Sequence, residues 1–92
     1  MWYSIKIILK TFINDVESFD SIEDEIIFLL KLNKKDILEK KVKIMAKKFE
    51  SEYFNIDKEK ISWKLIKIIS IEKIGDELYD GIEIFSTITV PQ

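Results

Sequence analysis

Asn33-Lys34-Lys35-Asp36-Ile37-Leu38-Glu39-Lys40-Lys41-Val42-Lys43-Ile44-Met45-Ala46-Lys47-Lys48-Phe49-Glu50-Ser51-Glu52-Tyr53 is the stretch whose reading decides the fold. Leu38, Val42, Met45, Ala46, Phe49 and Tyr53 recur at spacings of three and four, which places them on one stripe of a helix. The other faces carry seven lysines, Lys34, Lys35, Lys40, Lys41, Lys43, Lys47 and Lys48. The spacing predicts a single amphipathic helix from about Asn33 to about Tyr53. Asn33 is its expected N-cap, and Asp36 reaches back as a short capping box. Lys34 and Lys35 sit badly at the positive end of such a helix. Burying five or six stripe residues at about 1.5–3 kcal/mol each outweighs that penalty. The segments on either side are rich in isoleucine and aromatics and read as strands of a sheet that receives the stripe.

Ninety-two residues form one domain, 1–92. The composition, 47% apolar and 35% charged, belongs to a folded globular chain rather than a disordered one. Cysteine is absent, which removes disulfides, thiolate metal sites and thiol nucleophiles. Histidine is absent too, and with it the commonest general base and transition-metal ligand. All fifteen basic residues are lysine. Lacking arginine, the chain lacks the preferred bidentate partner of phosphate and guanine. No catalytic residue, metal site, cofactor or small-molecule substrate is expected, and no enzymatic activity. The net charge of −2 gives no strong electrostatic steer. Met1 to Lys10 lacks a basic start followed by a long apolar run, so no signal peptide is expected. The longest apolar run, Ile26 to Leu30, is too short to span a bilayer. A cytoplasmic location is the default.

Trp2 to Ile13 alternates as a long strand, with Tyr3, Ile5, Ile7, Leu9 and Ile13 in front and Trp2, Ser4, Lys6, Ile8, Lys10 and Phe12 behind. An acidic loop from Asn14 to Ser21 follows, in which Phe19 is expected to tuck against the core. Ile22 to Leu32 is the second strand and pairs with the first as an antiparallel hairpin. After the helix, Ile61 to Ile74 is a third strand whose alternation breaks at Lys67. Either both of its faces are covered or a bulge near Leu65–Lys67 switches the register, and the reading favours the covered central strand. Gly75 to Gly81 is a loop, and Ile82 to Val90 alternates as a last strand that Pro91 ends. The expected fold is α+β, in the order strand-strand-helix-strand-strand, with a mainly antiparallel four-stranded sheet and one helix on one face.

Four places in this order resemble a small bacterial family catalogued as domain of unknown function 4288. They are the opening Trp2-Tyr3-Ser4, the passage from strand two through a cap into a helix with Tyr53 near its end and Asn55 after it, Ser62-Trp63-Lys64 entering strand three, and the closing Asp80-Gly81-Ile82-Glu83-Ile84-Phe85-Ser86. The helix departs from that family's pattern in its lysines, where glutamate and alanine are frequent. The resemblance spans nearly the whole chain and implies this order of elements. It implies no particular activity, because none is assigned to the family.

Three clusters bear on function. Asp76, Glu77, Asp80 and Glu83 around Gly81 are hard-cation ligands by type, but their spacing fits no calcium loop. A polar turn in which Gly81 supplies a positive φ accounts for them. Glu23, Asp24 and Glu25 have the carboxylates that glycosidic acid/base work needs, without a sign of a cleft. The lysine helix can meet a polyanion, with Lys40, Lys43 and Lys47 as the contacting residues, although no aromatic accompanies them for base stacking. Trp2 and Trp63 are expected to close the edges of the core. One helix covers one face of the sheet, and the other face is left with Trp2, Ile8, Phe12, Ile27, Leu29 and Phe85, rimmed by Lys6, Lys10, Glu23, Glu25, Lys31 and Glu83. An apolar patch inside a charged rim is the pattern of a protein interface. The expected role is a small cytoplasmic interaction module, a homodimer, adaptor or immunity-like inhibitor, acting through that back face. The alternative is a nucleic-acid or phosphate-ligand module using the lysine helix. No membrane association is expected.

Overall fold

The computed structural model describes residues 1–17 and 21–81. The fold is α+β, in the order β1 (Trp2–Ile13), β2 (Glu23–Lys31), α1 (Leu38–Lys47), β3 (Ser51–Phe54) and β4 (Lys60–Gly75). The strands form one antiparallel sheet in the order β2-β1-β4-β3. The order strand-strand-helix-strand-strand is the expected one, but the strand after the helix is new. The expected last strand, Ile82 to Val90, its end at Pro91, and the packing of Phe19 lie outside the described residues.

The helix is half the expected length, and both ends have local causes. At the start, the Asn33 N–H donates to the Asp36 carboxylate at 2.8 Å and the Asp36 N–H donates to the Asn33 carbonyl at 3.0 Å. The expected reach-back is therefore present, but it closes a turn. The helix starts at Leu38, capped by Ile37 without a side-chain hydrogen bond. Lys34 and Lys35 thereby stay off the positive end of the dipole, and Glu39 occupies the first turn. At the other end, the N–H groups of Lys48, Phe49 and Glu50 donate to carbonyls three residues back at 3.2, 3.2 and 3.1 Å, tightening the last turn. Ser51 to Phe54 then pairs with Lys60 to Trp63 as β3, because serine and aromatics gain more from a ladder than from an exposed helical turn. Tyr53, placed on the helix stripe by its spacing, is an exposed strand residue.

The stripe meets the front of the sheet. Val42 and Ala46 are fully buried with Ile5, Ile7, Leu9 and Leu30, and Tyr3, Ile26, Phe28, Leu38, Met45, Trp63, Leu65 and Ile68 pack around them. Phe49 leaves the helix but still packs on Phe28, with ring centroids 5.0 Å apart. β4 resolves its broken alternation by bulges rather than by cover on both faces. Its pairing with β1 shifts register between Ile8 and Leu9, between Lys6 and Ile7, and between Trp2 and Tyr3. Ile66, Ile69 and Ile74 are the residues passed over. The shifts keep Leu65, Ile68 and Ile71 opposite Leu9, Ile7 and Ile5 on the front, while Lys67 stays opposite Ile8 on the back.

Two loops are set by their asparagines. Asn14 and Asp15 have φ values of 50° and 66° and join Ile13 to Val16 through reciprocal backbone hydrogen bonds of 3.0 and 2.9 Å, the geometry of a two-residue hairpin turn. In the β3–β4 loop, the Asn55 side-chain oxygen accepts the N–H groups of Asp57 and Glu59 at 2.9 and 3.0 Å. Gly81 takes the expected positive φ, 83°.

Candidate functional site

The back of the sheet follows from the registers, since residues paired across neighbouring strands share a face. β2 contributes Lys31, Leu29, Ile27, Glu25 and Glu23 opposite Trp2, Ser4, Lys6, Ile8 and Lys10 of β1. β4 contributes Glu72, Ser70, Lys67, Lys64 and Ser62 opposite Ser4, Lys6, Ile8, Lys10 and Phe12. The registers string Trp2, Leu29, Ile27 and Ile8 along one strip of the back, with Phe12 four residues beyond Ile8 on the same face. Phe85 lies outside the described residues. Ile27 is 49% exposed and Leu29 38%, while Trp2, Ile8 and Phe12 are half-buried.

A lysine lies over each of the two half-buried aromatics. The Lys31 ammonium lies 5.9 Å from the Trp2 ring centroid and that of Lys64 lies 5.2 Å from the Phe12 ring. Lys6 pairs with Glu25 at 2.8 Å and borders the aliphatic strip. Lys10 and Lys64 stand directly opposite each other, a repulsive pair. The turn after β1 relieves it, because Lys10 pairs with Glu17 and Lys64 reaches Asp15 at 3.4 Å. Asp15 also takes Lys60 at 2.7 Å. The hydrogen bond from Lys60, with Lys64 beside it, holds the Asp15 carboxyl below its ordinary value, and Asp15 in turn raises the Lys60 ammonium. The hydroxyl oxygens of Ser62 and Ser70 are buried and find no hydrogen-bond partner among the described residues.

The other clusters are not assembled for chemistry. Glu23, Asp24 and Glu25 are exposed along β2. Among the described residues no three acidic side chains gather to hold a metal; Asp76, Glu77 and Asp80 are exposed, and Glu83 lies outside the described residues. Two shallow open clefts of about 320 Å³ flank the sheet and the helix. The first is lined by Glu50, Glu52, Trp63 and Lys64, but Glu50 is engaged in accepting the Leu65 N–H at 2.8 Å. The second lies along α1 between Lys35 and Met45. Lys40, Lys43 and Lys47 are exposed at i, i+3 and i+7 of the helix. None of them has an ion-pair partner among the described residues. Lys41 is instead tied to Asp36 at 3.0 Å, which lowers the Asp36 carboxyl together with the stronger hydrogen bond from the Asn33 N–H.

The sequence reading missed the Asn14-Asp15 turn and the carboxylates it delivers to Lys60 and Lys64. An Asn-Asp pair directly after an alternating run was the available signal. Among the described residues no helix is long and apolar enough to cross a membrane. One family model, that of a domain of unknown function (DUF4288), matches residues 2–86. No curated protein and no solved structure matches the chain.

Proposed function

We propose, for a chain that belongs to the DUF4288 family, that it is a small cytoplasmic protein-interaction module that seats a protein partner on the open face of its sheet. The observation that carries this reading is the aliphatic strip of Ile8, Ile27 and Leu29 with Trp2 at its end, bordered by Lys6, Glu25 and Lys31. An apolar centre within a charged rim suits a partner that is desolvated in the middle and chosen by charge at the margin. Size sets a limit. Nine paired residues of about 3.4 Å and three strands about 4.8 Å apart give a face of roughly 30 by 10–15 Å. That is about half the ~800 Å² a standard stable interface takes from each side. A partner therefore binds transiently, or the surface continues beyond one copy of the sheet.

The test is affinity capture with the intact chain and with an Ile27→Lys/Leu29→Lys variant that keeps the same melting temperature. A protein retained by the first and lost by the second is the expected result. Identical retained sets overturn the reading. A second reading rests on the exposed stripe Lys40, Lys43 and Lys47, which has no ion-pair partner among the described residues and fits a polyanion such as a phosphate backbone. Oligonucleotide binding that falls steeply with salt supports it, and no binding at low salt ends it.

A further inference from the structure

The longest strand of the sheet is paired on its outer side for only part of its length. β3 pairs with β4 only from Lys60 to Trp63, although β4 runs sixteen residues to Gly75. Among the described residues the outer edge from Lys64 to Gly75 has no partner strand. Its first outward amide, that of Leu65, is taken by the Glu50 carboxylate. The side chains beyond it are open: Ile66 is 46% exposed, Ile69 43% and Ile71 38%, and Lys67, Glu72 and Lys73 are exposed as well. A long edge bearing isoleucines is a template for another strand.

We propose that this edge pairs with the same edge of a second copy, β4 antiparallel to β4 about a two-fold axis. Four properties of the strand agree on one register. A two-fold axis between Ile69 and Ser70 uses the stretch 64–75 apart from the Leu65 amide that Glu50 already holds. That axis sets Lys67 opposite Glu72 of the partner copy, twice by symmetry, and Ile68 opposite Ile71. Neither Lys67 nor Glu72 has an ion pair within its own chain among the described residues. The faces also match, since Lys67 and Glu72 both belong to the back of the sheet and Ile68 and Ile71 to the front. A slip of one residue sets back against front, and in one direction sets Lys67 against Lys73. Finally, the ends fit. Lys64 falls opposite Gly75, so the partner's strand stops where β3 takes over the edge. In this register the passed-over Ile69 of each copy falls opposite Ser70 of the other, beside the axis. The product is one continuous sheet across both copies, with two open faces side by side. This pairing does not depend on what the open face binds.

Sedimentation of the full chain is the test, and the expected mass is twice 10.9 kDa at micromolar concentration. Lys67→Glu places two carboxylates opposite each other twice and weakens the dimer about tenfold or more. Glu72→Lys does the same, and the double exchange Lys67→Glu/Glu72→Lys restores it. Both positions are exposed, so circular dichroism and melting temperature of the dissociated chain stay unchanged. The chain is free of cysteine, so Lys67→Cys/Glu72→Cys reports the register directly. Five residues along one strand are about 17 Å apart, too far for a disulfide within a copy, and oxidation yields a covalent dimer. A monomer at the highest soluble concentration overturns the proposal. So does a monomer whose amides between Ile66 and Lys73 resist hydrogen exchange, which assigns the edge to the chain's own remainder. A dimer indifferent to the charge exchange overturns it as well.

Discussion

β1 builds both faces of the sheet from alternate residues, and the two faces have opposite physics. In front, Ile5, Ile7 and Leu9 are sealed under Val42 and Ala46. Behind, Ser4, Lys6, Ile8 and Lys10 meet ion pairs, lysine-covered rings and a half-exposed aliphatic strip. The front is closed by shape. The back is closed by charge, and only in part. The difference lies in what each face can lose without unfolding the chain. The largest expected effect tests the front: Ile7→Ala removes a fully buried side chain beneath the helix and costs about 2–5 kcal/mol in urea unfolding. In a chain this small that is a large share of total stability. A cost below 1 kcal/mol shows that α1 does not seal the core as described.

The second test probes whether the back is dry. The Ser70 hydroxyl is buried on that face, opposite Lys6, with no hydrogen-bond partner among the described residues. Ser70→Ala removes an unsatisfied polar atom and stabilises the chain by about 1 kcal/mol. A loss of stability instead shows that the hydroxyl is satisfied in solution. The third effect is smaller. Ile27→Ala deletes a side chain already half in water and changes stability by less than about 1 kcal/mol. If it costs as much as Ile7→Ala, the two faces are both core, and the proposed docking surface disappears.

The same contrast explains which parts of the fold were legible in the sequence. β1 and β2 were readable because the residues facing the helix and those facing away alternate cleanly over Trp2–Ile13 and Ile22–Leu32. The helix was readable at Leu38, Val42, Met45 and Ala46, which do pack inward. Its ends were not. Phe49 keeps the helical spacing and still touches the core, from a turn rather than a helix. Tyr53 keeps the spacing and faces solvent in β3, because a periodicity of apolar residues cannot register a partner strand, here Ile61 eight residues further on. In β4 three bulges let a run of isoleucines serve one face while Lys67 serves the other. No simple period describes that. Of the candidate interface, parity alone put Trp2, Ile8, Phe12, Ile27 and Leu29 on one face, as the registers have them. Parity does not say how far along the face a residue lies, and Phe12 stands four residues beyond Ile8.

The smallest effect concerns how charge closes the back. Asp15 sits in the turn after β1 and is held by Lys60 and Lys64, which lower its carboxyl below the ordinary value. A depressed carboxyl contributes stability that is fully present above its unfolded value, about 4, and is lost as pH falls through the lower folded value. Lys60, raised by Asp15, contributes below its own unfolded value near 10.5 and loses that contribution as pH rises beyond it. The turn is exposed, so solvent screens the pairs and the effect is slight. Asp15→Asn is therefore slightly less stable than the parent at neutral pH. Urea midpoints of the two chains converge as the acid limb below about pH 4 is descended, because the parent alone has that carboxylate to protonate. Added salt narrows the gap at neutral pH. Curves that stay parallel through the acid limb show that Asp15 acts through the backbone of its turn, where φ is 66°, and that the lysines on the back of β4 are held apart by something other than its charge.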